Sequence, residues 1–151
     1  MRSHVKRAVS LLLAVLLLPC LAAADLSPDL QKALTDSKYV YISSTRKDGA
    51  LGSPSEIWFL YSGGAVYVGT RPTSWRVRRI KAGRPTAKIA VGSVNGPSFN
   101  ATGSLVNDPA AQAQMLEAYA KKYPDGWKTH EQAFKDGFKD GSRVLVKYVP
   151  K

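Results

Sequence analysis

The stretch YVGTRPTSWRVRRIKAGRP, Tyr67 to Pro85, gathers Arg71, Arg76, Arg78, Arg79, Lys81 and Arg84 around Trp75. Thr70, Thr73 and Ser74 stand just before or at the start of a short predicted helix. At such a start, free backbone N–H groups and the helix dipole favour an anion. Arg76 and Arg79, three residues apart, share one helix face. From Ile57 to Asn107 there is no Asp or Glu, and Lys88 adds a further basic residue, so the segment holds no acid to neutralise it. A solvated basic face is the ordinary explanation of a charge run. Hydroxyls, free amides and an arginine fork in an acid-free window describe something more specific, a cradle for phosphate.

The remaining composition narrows the chemistry. Met1–Arg7 is basic, Leu11–Leu18 is apolar and LAAAD follows, the three parts of an export signal with a cut expected after Ala24. The apolar run falls well short of the ~20 residues that span a bilayer. Pro19 makes Cys20 a poor lipid-attachment site, and there is no twin arginine. The expectation is a signal peptide over 1–24, one domain over 25–151, and a periplasmic or secreted location without stable membrane insertion. Without Arg2, Lys6 and Arg7, 19 Lys and Arg face 11 Asp and Glu, a net charge of +8. The one remaining histidine is His130 and no cysteine remains, which excludes a His-based triad, a multi-His metal site and a disulfide framework. Nucleic acid is not an expected partner, because neither a recognition-helix pattern nor an RNA-binding aromatic motif is present. The basic helix has only Val77 and Ile80 as an apolar face, too narrow for membrane-surface binding.

The elements that would position the cradle follow from periodicity and turn signals. Leu26–Lys38 reads as a helix capped by Ser27, with Pro28 at its first position. Lys38–Thr45, Ser53–Tyr61 and Ala65–Thr70 read as a three-stranded meander, turned at Asp48-Gly49 and at Ser62-Gly63-Gly64. The helix Thr73–Gly83 follows, stopped by Gly83. Strands at Thr86–Val94 and Ser98–Asn107 form a pair, and Asp108 caps a helix opened by Pro109. A further helix over Lys128–Lys139 and a last strand over Ser142–Pro150 complete the chain. Six strands with short helices between them make a mainly β, α+β fold, an antiparallel split barrel.

In this order, the leading helix, YVYISSTRKDGALGSPSEIWFLYSGGAVYVGT, SWRVRRIKAGRPTAKIAV, and ATGSLVNDP before a helix, the chain resembles the pyridoxamine-phosphate-oxidase-like family of FMN-binding split β-barrels over about Leu26–Val149. The resemblance implies that Thr70, Ser74 and Arg76 grip a flavin phosphate, with Arg71 and Arg79 offsetting its charge. It implies that backbone groups of Ser55, Glu56 and Ile57 line the flavin ring, that Trp75 packs on the flavin or on a partner subunit, and that the protein is a homodimer. Pro54 and Phe59 stand where the oxidases carry an Arg and a Lys, and Ser98 where they carry a glutamine. The expected function is thus an exported FMN-binding, oxidoreductase-like protein acting on an unidentified small-molecule substrate, with deazaflavin or haem as other cofactors. The alternative is a non-catalytic split-barrel module that binds haem, another anion or a protein.

A bound flavin would carry the redox chemistry itself, so no protein nucleophile is needed, and whether the chain is an enzyme stays open. Glu56 is the single acid beside the ring position, with a surface or salt-bridged role as its simpler reading. His130 is a candidate haem ligand or an uninvolved surface residue. Tyr39, Tyr41, Trp58, Tyr61 and Tyr67 read as a stacking platform or, more simply, as barrel core or dimer interface. Lys121–Trp127 reads as a loop ending the helix and anchored by Trp127, or as a lid.

Overall fold

A computed structural model describes residues 24–151. The expected signal peptide, except for its last residue Ala24, lies outside those residues. Helix α1 (Pro28–Asp36) leads into β1 (Val40–Ser44), β2 (Ser55–Ile57), β3 (Leu60–Ser62) and β4 (Ala65–Thr70). Then come α2 (Trp75–Lys81), β5 (Thr86–Val91), β6 (Ser98–Val106), α3 (Pro109–Lys122), α4 (Pro124–Asp140) and β7 (Val144–Pro150). Several local signals act as their residue types dictate. Ser27 Oγ accepts from the Leu30 amide and Asp108 Oδ1 from the Ala111 amide, each satisfying a helix-start N–H that has no intrahelical partner. Gly83, at φ +76°, ends α2. Asp48 Oδ1 accepts from the Ala50 amide in the turn between β1 and β2. Replacing Asp108 by Ala is expected to cost about 1 kcal/mol, read from urea denaturation, with no change at the site below.

The sheet has seven antiparallel strands in the order β2-β1-β5-β6-β7-β4-β3. Its two edge strands, β2 and β3, are separated in sequence by Trp58 and Phe59 alone, so the sheet must curl into a half-barrel to bring its edges together. This corrects the expected six strands. The run Ser53–Tyr61 has the composition of one strand, but its first half pairs with β1 (Val40 with Ile57) and its second with β4 (Leu60 with Tyr67). At the break, Trp58 and Phe59 lose ladder partners, and two tyrosines, one in α3 and one at its C-terminal end, replace them. Tyr119 Oη donates to the Trp58 carbonyl at 2.7 Å, and Tyr123 Oη accepts from the Phe59 amide at 3.1 Å. Tyr123 Oη also donates to the Lys38 carbonyl at 2.7 Å. Two phenols therefore close the split, meeting the rule that buried backbone groups are paired.

Two apolar clusters hold the curl. Inside it, Val40, Ile42, Phe59, Val66, Val68, Ile89 and Tyr148 pack with Leu34 of α1 and Val77 of α2. Outside it, Met115, Tyr119, Tyr123, Trp127 and Leu145 pack between α3, α4 and the sheet. Adjacent residues of β7 serve both, Leu145 outside and Val146 inside, as the two-residue period of a strand requires. Helix α4 begins at Pro124, so the expected loop Lys121–Trp127 is instead the junction of two helices. Gly126 belongs to its first turn because a Cβ there would lie 2.7 Å from the Trp58 indole. Among the described residues, no helix is long and apolar enough to cross a membrane.

Lys122, at the end of α3, sets its ammonium 3.5 Å from the centre of the Phe59 ring. Burial pushes it from 10.5 down to about 8, against the attraction of the ring face for the cation. Between those values the unfolded chain binds a proton that the folded chain has released, so stability rises with pH in that window. Urea midpoints measured from pH 7.5 to 10.5 should show this rise, and Lys122→Met should flatten it.

Candidate functional site

The residues expected to bind a cofactor fall on two adjoining depressions, both bordered by β2. The first is a cavity of about 640 Å³ that brings together Ser55, Ser74, Trp75, Arg76 and Arg79, with Ser44 and Arg46 added from β1 and the turn after it. The second, of about 400 Å³, holds Glu56, Ile57, Thr70 and Arg71, joined by Trp58, His130, Phe134 and Arg143. The expected grouping of Thr70 and Arg71 with Ser74 and Arg76 is thus divided. The chain turns between Arg71 and Ser74, where the Ser74 amide donates to the Arg71 carbonyl at 3.0 Å, and this sends the two ends of the motif to different cavities.

In the first cavity, Arg76 reaches from α2 to β2 and donates to Ser55 Oγ at 2.6 Å. Burial pushes its guanidinium below the ordinary arginine value. Arg79 donates to the Ser44 carbonyl at 2.9 Å and to Ser44 Oγ at 2.8 Å. Both partners are neutral. The ion pairs among the described residues join Lys32 to Asp36, Arg46 to Asp48, Lys121 to Glu117 and Lys135 to Glu131, none of them from α2. Ser74 occupies the N-cap of α2 but makes no cap hydrogen bond, and its hydroxyl is buried without a partner. A buried hydroxyl left unpaired costs about 1–3 kcal/mol, and so does not persist without reason. Trp75 is 67% exposed, with the guanidinium carbons of Arg78 and Arg79 5.4 and 5.5 Å from its ring.

In the second cavity, Glu56 is exposed and accepts from Tyr41 Oη at 2.6 Å. Its simpler reading as a paired surface residue is the one that the geometry favours. The tyrosines do not form a single platform. Tyr39 stacks on Tyr123 at 6.1 Å and Trp58 on the same ring at 4.4 Å, whereas Tyr41 bonds Glu56 and Tyr67 faces Lys147. His130 lies edge-on to Trp58 at 5.7 Å, so α4 aims it at the cavity wall rather than at a bland helix face. Arg143 and Phe134 have no signal in the sequence that ties them to this site. Only the pairing of β7 with β4 brings Arg143 to it. Among the described residues, no group of three or more His, Cys, Asp or Glu could hold a metal ion.

The family profile described as "Uncharacterized protein conserved in bacteria (DUF2255)" matches residues 30–141, from α1 to the end of α4. The chain belongs to this family. No curated protein matches it. Among solved structures, this family member is similar to HutZ, the haem storage protein of Vibrio cholerae, at 12% identity and TM-score 0.60, covering 85% of this chain and 92% of that one. A candidate pyridoxamine 5'-phosphate oxidase of Listeria innocua matches at 17% identity and TM-score 0.59, covering 82% and 91%. The conserved hypothetical protein Rv2991 of Mycobacterium tuberculosis matches at 14% and TM-score 0.63, covering 85% and 82%. At these identities the likeness shows the fold, a split barrel shared with proteins of different ligands.

Proposed function

We propose that the chain is an exported, homodimeric FMN-binding protein of oxidoreductase type, with the flavin phosphate seated in the larger cavity. One observation carries this reading. Arg76 and Arg79 converge there without a carboxylate, beside the buried and unpartnered Ser74 hydroxyl. A phosphate dianion fits that donor set, since two guanidinia bonded only to neutral partners would gain charge-assisted bonds and the Ser74 hydroxyl would gain the partner it lacks. Ser44 and Ser55 hold the two guanidinia in place for it. Trp75, exposed beside the cavity, is positioned to cover a bound ligand or to meet a partner subunit. The backbone of Ser55–Ile57 would border the ring, and the flavin would supply hydride transfer when bound. The likeness to an oxidase of the same fold supports the reading.

Titration of the purified chain with FMN, followed by absorbance and flavin fluorescence, tests it. Saturable binding at micromolar concentration or below is expected, weakened at least ~10-fold in Arg76→Ala, the effect of losing one charge-assisted contact. Parallel titration with a deazaflavin separates the two cofactor classes. Absence of FMN binding would sink the reading, and binding of the deazaflavin alone would replace FMN with that cofactor class.

A second reading, haem held in the smaller cavity, is favoured by the position of His130 beside Arg71 and Arg143 and by the likeness to a haem storage protein. It requires a haemin Soret shift that is lost in His130→Ala.

A further inference from the structure

The smaller cavity has its own charge problem. Strands β4 and β7 pair through Thr70 and Val144, and Arg71 and Arg143 each stand one residue beyond that pair. Like charges at opposed positions of neighbouring strands are destabilising. Yet neither residue has an ion pair among the described residues, and both line the same cavity. The arrangement is built rather than incidental. Gly137 is buried in α4, and a Cβ on it would lie 2.4 Å from Arg143 Cγ, so its absence makes room for the arginine stem. The Arg143 amide donates to the Gly137 carbonyl at 3.0 Å, and the guanidinium carbon lies 5.4 Å from the centre of the Phe134 ring.

The rest of the lining sets two flat rings, Trp58 and Phe134, beside Ile57, Gly69, Thr70 and His130. Trp58 is fixed from behind by Tyr123, stacked at 4.4 Å and within 5° of parallel, and Phe134 is fixed by Tyr119 edge-on at 5.7 Å. The one acid, Glu56, is engaged by Tyr41. A volume of about 400 Å³ lies at the small end of small-molecule sites, which suits one or two rings better than a tetrapyrrole.

The geometry points to a substrate site for a small aromatic or conjugated carboxylate, its carboxylate bridged by Arg71 and Arg143 and its ring against Trp58 and Phe134. Two guanidinia facing one carboxylate give the planar, multiply bonded recognition that arginine favours over lysine. The inference gives the flavin reading its substrate class and rests on that reading for any reaction, but not for binding. Because β2 borders both cavities, such a ligand would lie beside the ring position assigned to Ser55–Ile57.

Calorimetric titration of the full chain without FMN, using trans-cinnamate, 1-naphthoate and the neutral cinnamamide, decides it. At least one carboxylate is expected to bind saturably, cinnamamide at least ~10-fold more weakly than cinnamate, with Arg71→Gln and Arg143→Gln each costing at least ~10-fold. Arg71 is exposed, so its variant should fold even if Arg143→Gln does not, with circular dichroism as the check. The proposal is overturned if neither carboxylate binds at millimolar concentration, if cinnamamide binds as well as cinnamate, or if folded Arg71→Gln binds unchanged. A haemin Soret shift that is lost in His130→Ala but unchanged by saturating cinnamate would place haem, and not the carboxylate, in this cavity and also overturn it. The flavin reading fails separately, through loss of FMN binding in the parent chain.

Discussion

Replacing Tyr119 by Ala is expected to remove about 3–5 kcal/mol of stability, a large share of the ~5–15 kcal/mol available to a domain of this size. The ring is fully buried and meets Trp58, Tyr123, Trp127 and Phe134 edge-on at 5.4–6.0 Å. Its hydroxyl is the partner of the Trp58 carbonyl where the barrel splits. Truncation therefore removes an aromatic hub and leaves a backbone acceptor unpaired. Burial also pushes the phenol well above its ordinary value, so it stays protonated and donating throughout the working pH range. Urea denaturation would give the loss directly. Tyr119→Phe separates the contributions, since it keeps the ring and forfeits the hydroxyl, at an expected cost of about 1–3 kcal/mol. A loss below ~1 kcal/mol in the Ala variant would mean that α3 does not close the split as described.

The same residue shows why part of the fold was legible and part was not. Caps, turns and strand periods are local, and Ser27, Asp108, Asp48-Gly49 and Gly83 each act where their chemistry places them. The break at Trp58-Phe59 is not local. Nothing in SEIWFLY distinguishes one long strand from two short ones paired to opposite edges, because the partners that decide it, β1 and β4, lie elsewhere in the chain. The tyrosines that stabilise the break, Tyr119 in α3 and Tyr123 just after it, stand about 60 residues later.

The site divides in the same way. Arg76 and Arg79 could be placed on one helix face from their spacing, and they do share a cavity. Arg71, only five residues before Arg76, goes to the other cavity because the turn ending at Ser74 intervenes. Arg143 was out of reach of any local pattern, since strand register alone puts it opposite Arg71. Charge composition revealed a basic segment without acids. Topology decides which of its arginines face which space.

Reversing the charge at Arg76 should have the largest functional effect. Arg76→Glu is expected to weaken FMN binding at least ~100-fold, about 2.7 kcal/mol, against the ~10-fold expected for Arg76→Ala. The alanine change removes one charge-assisted contact. The glutamate change also places a carboxylate beside Ser55 and Ser74, where a phosphate dianion would have to approach it. Arg79 would persist as a neighbouring cation but is directed toward Ser44 by two hydrogen bonds, so it compensates only in part. Because the contact is partly buried, the difference between Arg76→Ala and Arg76→Glu should survive 0.15 M salt, where a merely diffuse surface attraction would be screened over about 8 Å. Fluorescence titrations at low and physiological salt measure both quantities. Equal affinities for the parent and Arg76→Glu would place the phosphate elsewhere. An effect that vanished with salt would reduce the arginine cluster to general electrostatic attraction rather than a phosphate seat.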